Sequence, residues 1–211
     1  MIRLHHIQPV PLRGLFSSSE IWNADCQFFK GKYYLITAPS GKGKSTFLHI
    51  IYGLRHDFEG DLIIDDQFSK SIDAPSWSVL RAQKLAIVFQ DLRLFLDLSG
   101  IENILVKNKL TDHKTESEIN NMIEKLGISA VIRQPVNALS YGQRQRVALI
   151  RALCQPFEFL LLDEPFSHLD EDNAKTARNL VLEECEKQKA GLILASLGED
   201  YGINFNKNLT L

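Results

Sequence analysis

The 211 residues include only three cysteines, Cys26, Cys154 and Cys185, whose number and spacing fit neither a disulfide framework nor a metal cluster. Each sits among apolar neighbours, as reduced core residues do. Long hydrophobic runs are missing too: Leu160 to Leu162 and Leu192 to Ala195 fall far short of the roughly 20 residues a membrane span needs. The N-terminal residues lack the apolar stretch of a signal peptide, so a cytoplasmic protein is expected. No charge of one sign dominates either. The formal net charge of -2 supplies no basic field, and no nucleic acid is expected as a partner. Repeats, heptads and low-complexity tracts are absent. What is present, 45% hydrophobic and 24% charged residues, is enough for one domain with a substantial core.

Within that ordinary composition, the stretch Ala38-Pro39-Ser40-Gly41-Lys42-Gly43-Lys44-Ser45-Thr46 has the make-up of a loop that wraps a nucleotide's phosphates. Gly41 and Gly43 let the backbone approach an anion, and a helix starting near Lys44 turns its positive end toward the same point. The candidate nucleotide contacts are Ser40, Gly41, Lys42, Gly43, Lys44, Ser45 and Thr46. Among them Lys44 reaches the outer phosphates and Ser45 is placed to ligate Mg2+. Tyr33 to Thr37 reads as the buried strand feeding this loop. Ala38 departs from the usual Gly, which a tight turn tolerates if its φ is negative. Downstream, Phe159 to Pro165 is an apolar strand that delivers two carboxylates at its end. Asp163 is the candidate for the Mg2+ shell, and Glu164 for polarising the water that attacks the γ-phosphate.

Along the chain, short apolar runs in the first sixty-odd residues predict an antiparallel β portion, with Leu62 to Ile64 entering a turn at Asp65-Asp66. Phe47, Ile50, Ile51 and Leu54 predict a helix ending near Gly53. Leu85 to Phe89 is a further strand, and Gln90 at its end is a site candidate. The pattern from Leu92 to about Cys154 is helical, with Ile119, Met122, Ile123 and Leu126 on one stripe stopped by Gly127. Ala174 to Cys185 predicts an amphipathic helix and Leu192 to Ala195 another strand. The class is α/β, with a core formed by residues 1–91 and 155–211 and a helical subdomain over 92–154.

Between the two nucleotide motifs lies Leu139-Ser140-Tyr141-Gly142-Gln143-Arg144-Gln145. With it the chain resembles the ABC-type ATPases. Five motifs stand in that family's order: the phosphate loop, Gln90, Leu139 to Gln143, Asp163 to Pro165, and Ser167-His168-Leu169-Asp170. The likeness extends from about Ile2 to Leu209. It implies a P-loop NTPase core with a RecA-like parallel sheet, ATP and Mg2+ as ligands, and Gln90 among the catalytic and metal-binding groups. It also implies a head-to-tail dimer, either a homodimer or a heterodimer with a related ATPase subunit. There Ser140 and Gly142 of one subunit meet the γ-phosphate held by Lys44 of the other, Gln143 is a further nucleotide contact, and Asp170 carries information across the interface. Ser140 is a good helix N-cap, which suits this anion-binding role. An aromatic residue upstream of the phosphate loop stacks on adenine in this family; Phe16 is at about the right distance, a core or hairpin role being its alternative, and Trp22 is less well placed.

Two positions depart from the pattern. Tyr141 replaces a Gly, and Leu197 stands where the family has a histidine that contacts the γ-phosphate, a place where leucine can donate nothing. Hydrolysis maintained by Glu164, Lys44 and Mg2+ is expected; a nucleotide-gated switch with weak turnover is the alternative, and a soluble non-transport ATPase of this type is another. Asn108 to Asp112 only approximates a guanine-specificity motif and reads as a linker. The short chain, without insertions, favours the energising subunit of a membrane transporter, and the stretch Phe89 to Leu94 is similar to that of lipoprotein-releasing and export-type ATPases. Integral membrane subunits are then the partners, docked at a groove near Leu92 to Asp97, which places the chain on the cytoplasmic face of the membrane.

Overall fold

The computed structural model describes residues 1–14 and 19–211. The chain opens with β1 (Ile2–Pro9), β2 (Asp25–Phe28) and β3 (Tyr33–Thr37), followed by α1 (Lys44–Ile51), β4 (Phe58–Ile64) and β5 (Gln67–Phe68). Next come α2 (Ala74–Gln83), β6 (Leu85–Val88), α3 (Gly100–Asn108), α4 (Glu116–Lys125) and α5 (Tyr141–Leu153). The remainder is β7 (Phe159–Asp163), α6 (Glu171–Gln188), β8 (Gly191–Ser196) and β9 (Lys207–Thr210).

Nine strands form two sheets among the described residues. One is antiparallel in the order β2-β1-β4-β5, and the other is parallel in the order β6-β7-β8-β3-β9. Every residue of β7 and β8 is buried, as a central parallel strand covered on both faces requires. Their alternation divides the interior in two. Leu160, Leu162, Leu192 and Leu194 face the core shared with α4, α5 and α6, whereas Leu161, Ile193 and Ala195 face the one shared with α1 and the antiparallel sheet. The parallel sheet is thus the middle layer, and the carboxyl ends of β3, β6, β7 and β8 lie along one edge.

Local chemistry fixes the helix boundaries. Ser99, Thr115 and Ser140 each close a capping box, with Glu102, Glu118 and Gln143 at the third helical position, while Asp73 and Asp170 cap α2 and α6. Gly53 (φ 70°) ends α1 under the Trp77 ring, 2.4 Å from where a Cβ would sit, so only glycine fits. Leu54, expected on the apolar stripe of that helix, lies beyond its end and is 42% exposed, because the turn at Gly53 rotates it away from the core. Asp65 and Asp66, both with positive φ, make the two-residue turn between β4 and β5. A buried ion pair, Lys114 Nζ to Glu184 Oε2 at 2.7 Å, joins the entry of α4 to α6.

Candidate functional site

The phosphate loop occupies the six residues between β3 and α1. Gly41 (φ 74°) and Gly43 (φ 92°) take left-handed conformations, and Ala38 is not among the residues of positive φ. A Cβ at Gly43 would lie 2.8 Å from Leu12 Cδ1 and 3.4 Å from the Trp22 ring, so glycine here also permits close approach. Ser40, Gly41 and Lys42 are exposed on the loop's outer side, and the Thr46 hydroxyl accepts from Arg55. Lys44 is buried at the centre. Its Nζ donates to the carbonyls of Ala38 (2.8 Å) and Pro39 (3.4 Å) and lies 3.2 Å from Glu164 Oε1.

The adjacent end of β7 supplies both carboxylates. Asp163 is 2% exposed, and neither of its oxygens accepts a well-formed hydrogen bond. Burial raises its pKa, an effect tempered by the neighbouring Ser45 hydroxyl and opposed by Lys44. A buried carboxylate left so under-satisfied calls for a cation. Asp163 shares the lining of a 320 Å³ cavity with Ser45 and Gln90, so carboxylate, hydroxyl and amide oxygens converge; this hard-oxygen set fits Mg2+. Glu164 has φ 48°, a strained value for a side-chain-bearing residue. Its N–H donates to Ala195 O, and its carbonyl accepts from Gln145 Nε2 and Ser167 Oγ, bonds that hold the unusual backbone in place.

The third group gathers at the start of α5. Ser140 Oγ accepts the Gln143 N–H, and Gln143 Oε1 in turn accepts the Ser140 N–H at 2.9 Å, so the Gln143 side chain is committed to the cap. Gly142 lies in the first turn, where amides have no intrahelical acceptor. A Cβ there would stand 3.1 Å from His168 O. Tyr141 reaches outward. Its hydroxyl donates to Gln90 O at 2.8 Å, and its ring packs on His168 at 4.3 Å between centroids. Asp170 accepts from Asn173 N and Nδ2. Tyr141 and Gly142 therefore bring the start of α5 against Gln90 and the Ser167–Asp170 turn, while Ser45 and Asp163 share one cavity and Lys44 meets Glu164 beside it.

Comparison with known proteins identifies the family. The family described as ABC transporter covers residues 21–167. The chain belongs to the ABC transporter family. It is 32% identical over 187 residues to the lipoprotein-releasing system ATP-binding protein LolD of Buchnera aphidicola subsp. Acyrthosiphon pisum, covering 87% of this chain and 82% of that protein. To the aliphatic sulfonates import ATP-binding protein SsuB of Bacillus cereus it is 33% identical over 189 residues, 90% and 72% of the two chains. A bacterial ABC transporter cassette solved as a dimer superposes with a TM-score of 0.85 at 24% identity, over 100% of this chain and 94% of the other. The same cassette in a dimeric post-hydrolysis state with ADP and Pi gives 0.78 at 25% identity, over 93% and 88%.

Three further features surround the site. Leu197 is 60% exposed at the end of β8, and Ser196 Oγ beside it is spent on Glu199 O, so this turn offers no side-chain donor toward a nucleotide. His168 faces Ser167 Oγ through Nδ1 at 2.9 Å. Arg151, near the end of α5, donates to Leu92 O and Arg93 O at 2.6 Å each and holds two consecutive residues of positive φ. The groove segment also differs from expectation. Leu92 is 4% exposed and belongs to the core, because its left-handed backbone turns it inward; Phe95 and Leu96 are the exposed members. Phe16 lies outside the described residues, and Trp22 is buried edge-on against Phe47, which leaves its ring no open face. Sequence reasoning missed the Tyr141 tether and the Lys44–Glu164 contact. The replaced glycine was the signal for the first.

Proposed function

We propose that this ABC ATPase energises a membrane transporter by closing and opening a dimer around two Mg-ATP, with Lys44, Asp163 and Glu164 as its chemical centre. The observation that carries the proposal is the convergence of an ammonium, an under-satisfied buried carboxylate and a strained glutamate at the end of β7, next to a glycine loop. Lys44 and the loop amides hold the outer phosphates; Ser45, Gln90 and Asp163 hold Mg2+, which supplies charge neutralisation at the phosphoryl group when bound. Glu164 orients the attacking water and takes its proton, and its backbone bonds to Ala195, Gln145 and Ser167 keep that carboxylate aimed. Ser140 and Gly142 present a capped helix N-terminus to the nucleotide of the paired subunit, and Asp170 stands beside them. The affinity of the dimer then depends on the γ-phosphate.

Among the described residues no helix is long and apolar enough to cross a membrane, so the chain meets its membrane partner at a surface. A 230 Å³ groove lined by Tyr52, Phe89, Phe95, Val106, Lys107 and Leu110 offers one. Phe95, Val106 and Leu110 are 56%, 45% and 64% exposed, an apolar lip that a partner helix covers. Burial, with the nearby Arg151 and Arg81, pulls the Lys107 amine down to about 8, which suits a partner bearing a carboxylate. Co-expression with candidate multi-span subunits tests the assignment. Co-purification and stimulated ATPase activity are expected; an ATPase stimulated by DNA or ribosomes instead would overturn it.

A further inference from the structure

Strand β1 loses its register where His5 and His6 stand. Pairing with β4 shifts between His5 and Gln8, and His6 takes φ 46°. The bulge is built in. On β4, Gly60 (φ 84°) lies where a Cβ would meet His6 O at 2.3 Å, so a side chain there cannot be accommodated. Successive residues of a regular strand point to opposite faces; here the two imidazoles lie 4.5 Å apart between centroids.

Both rings are also oriented. His6 Nδ1 lies 3.0 Å from Asn23 O, and because a carbonyl can only accept, Nδ1 carries the proton and Nε2 keeps a free lone pair. His5 Nδ1 lies 2.5 Å from Asp25 Oδ1, its register partner on β2. A ring nitrogen held by a carbonyl or a carboxylate, with the other left free, is the arrangement that orients metal-binding histidines. The ligand atoms offered by His5, His6 and Asp25 all lie within 4.8 Å of one another, and all three residues are exposed. Neighbouring cations are already matched, Arg3 by Asp66 and Lys70 by Asp61. A plain ion pair would account for His5 and Asp25 but leaves the bulged, carbonyl-fixed His6 unexplained.

We propose that His5 and His6, with the Asp25 carboxylate oxygen that His5 does not engage, bind a first-row divalent transition metal, with Zn2+ as the representative ion. Two imidazoles and a carboxylate suit zinc, nickel or copper and not magnesium. The position gives the site a purpose. His5 and Asp25 are partners where β1 and β2 pair, and the connection between these strands brings Leu12 and Trp22 against Gly43 of the phosphate loop. A metal here clips that connection at its neck.

The full chain, free of nucleotide, is titrated with Zn2+ by calorimetry and followed by thermal unfolding. One high-affinity Zn2+ per chain and a raised Tm are expected. His6→Ala, and separately Asp25→Asn, should weaken binding at least about tenfold and remove the Tm rise, whereas His56→Ala retains both. Circular dichroism of these surface variants checks that they fold. Binding by His6→Ala within about twofold of the unsubstituted chain, or an equal response to Mg2+, would overturn the proposal and leave a simple His5–Asp25 ion pair.

Discussion

Replacing Glu164 by Gln keeps volume and removes one charge from a contact that has two consequences. The carboxylate lies 3.2 Å from Lys44 Nζ, both side chains largely buried. Coulomb attraction at an effective dielectric near 20 is about 5 kcal/mol, but desolvation of both groups takes back a large part. The net hold on Lys44 is nearer that of one charge-assisted hydrogen bond, about 1.5–3 kcal/mol. Freed from it, and with no carboxylate repelling the triphosphate, Lys44 should bind Mg-ATP as well as before or up to about a hundredfold more tightly. Loss of the base, in contrast, removes about 10²–10⁴ from the chemical step. Equilibrium binding of ATP, phosphate release and sedimentation velocity read the three quantities separately: tight binding, turnover down at least about 100-fold, and an accumulated dimer. Turnover within tenfold of the parent would refute Glu164 as base. Affinity and turnover falling together would show that Glu164 acts by positioning Lys44, and a variant that stays monomeric at saturating Mg-ATP would refute the shared site.

Other consequences are accessible to single substitutions. Leu197→His restores a donor at an exposed turn and should raise phosphate release in the assembled complex; an unchanged or lower rate counts against that turn facing the nucleotide. Tyr141→Phe deletes the 2.8 Å bond to Gln90 O and should lower stability by about 0.5–1 kcal/mol in urea unfolding, with no change if the phenol is solvated instead. Lys125 and Lys187 hold the Glu183 carboxyl down at about 2 from its ordinary 4.5. Since a depressed carboxyl stabilises only while ionised, its contribution is full above about pH 4.5 and disappears as the pH falls toward 2. Glu183→Gln should flatten acid unfolding across that window, and a curve parallel to the parent would exclude the linkage.

What the sequence disclosed was chemistry carried by residues close together in the chain. Gly41, Gly43, Lys44 and Ser45 fall in one turn, Asp163 and Glu164 end one strand, and Ser140 with Gln143 closes one helical turn. The strands β3, β6, β7 and β8 were legible for the same reason, as apolar runs bounded by turn residues. Contacts between distant residues were not. Tyr141 finds Gln90 across 51 positions, Lys114 finds Glu184 across 70, and His5 finds Asp25 across 20 through the register of β1 on β2. The inward turn of Leu92 escaped too, because left-handed backbone at a leucine has no propensity signal.

Helix α5 has 13 residues and so spans about 20 Å. Its first turn lies beside Gln90 and the Ser167–Asp170 turn, and its last turn grips the carbonyls of Leu92 and Arg93 through Arg151. The rod is therefore pinned at both extremities to the same short strip that follows β6. A tilt imposed on one tip is carried along the rod to the other, with the strip from Gln90 to Arg93 as its pivot.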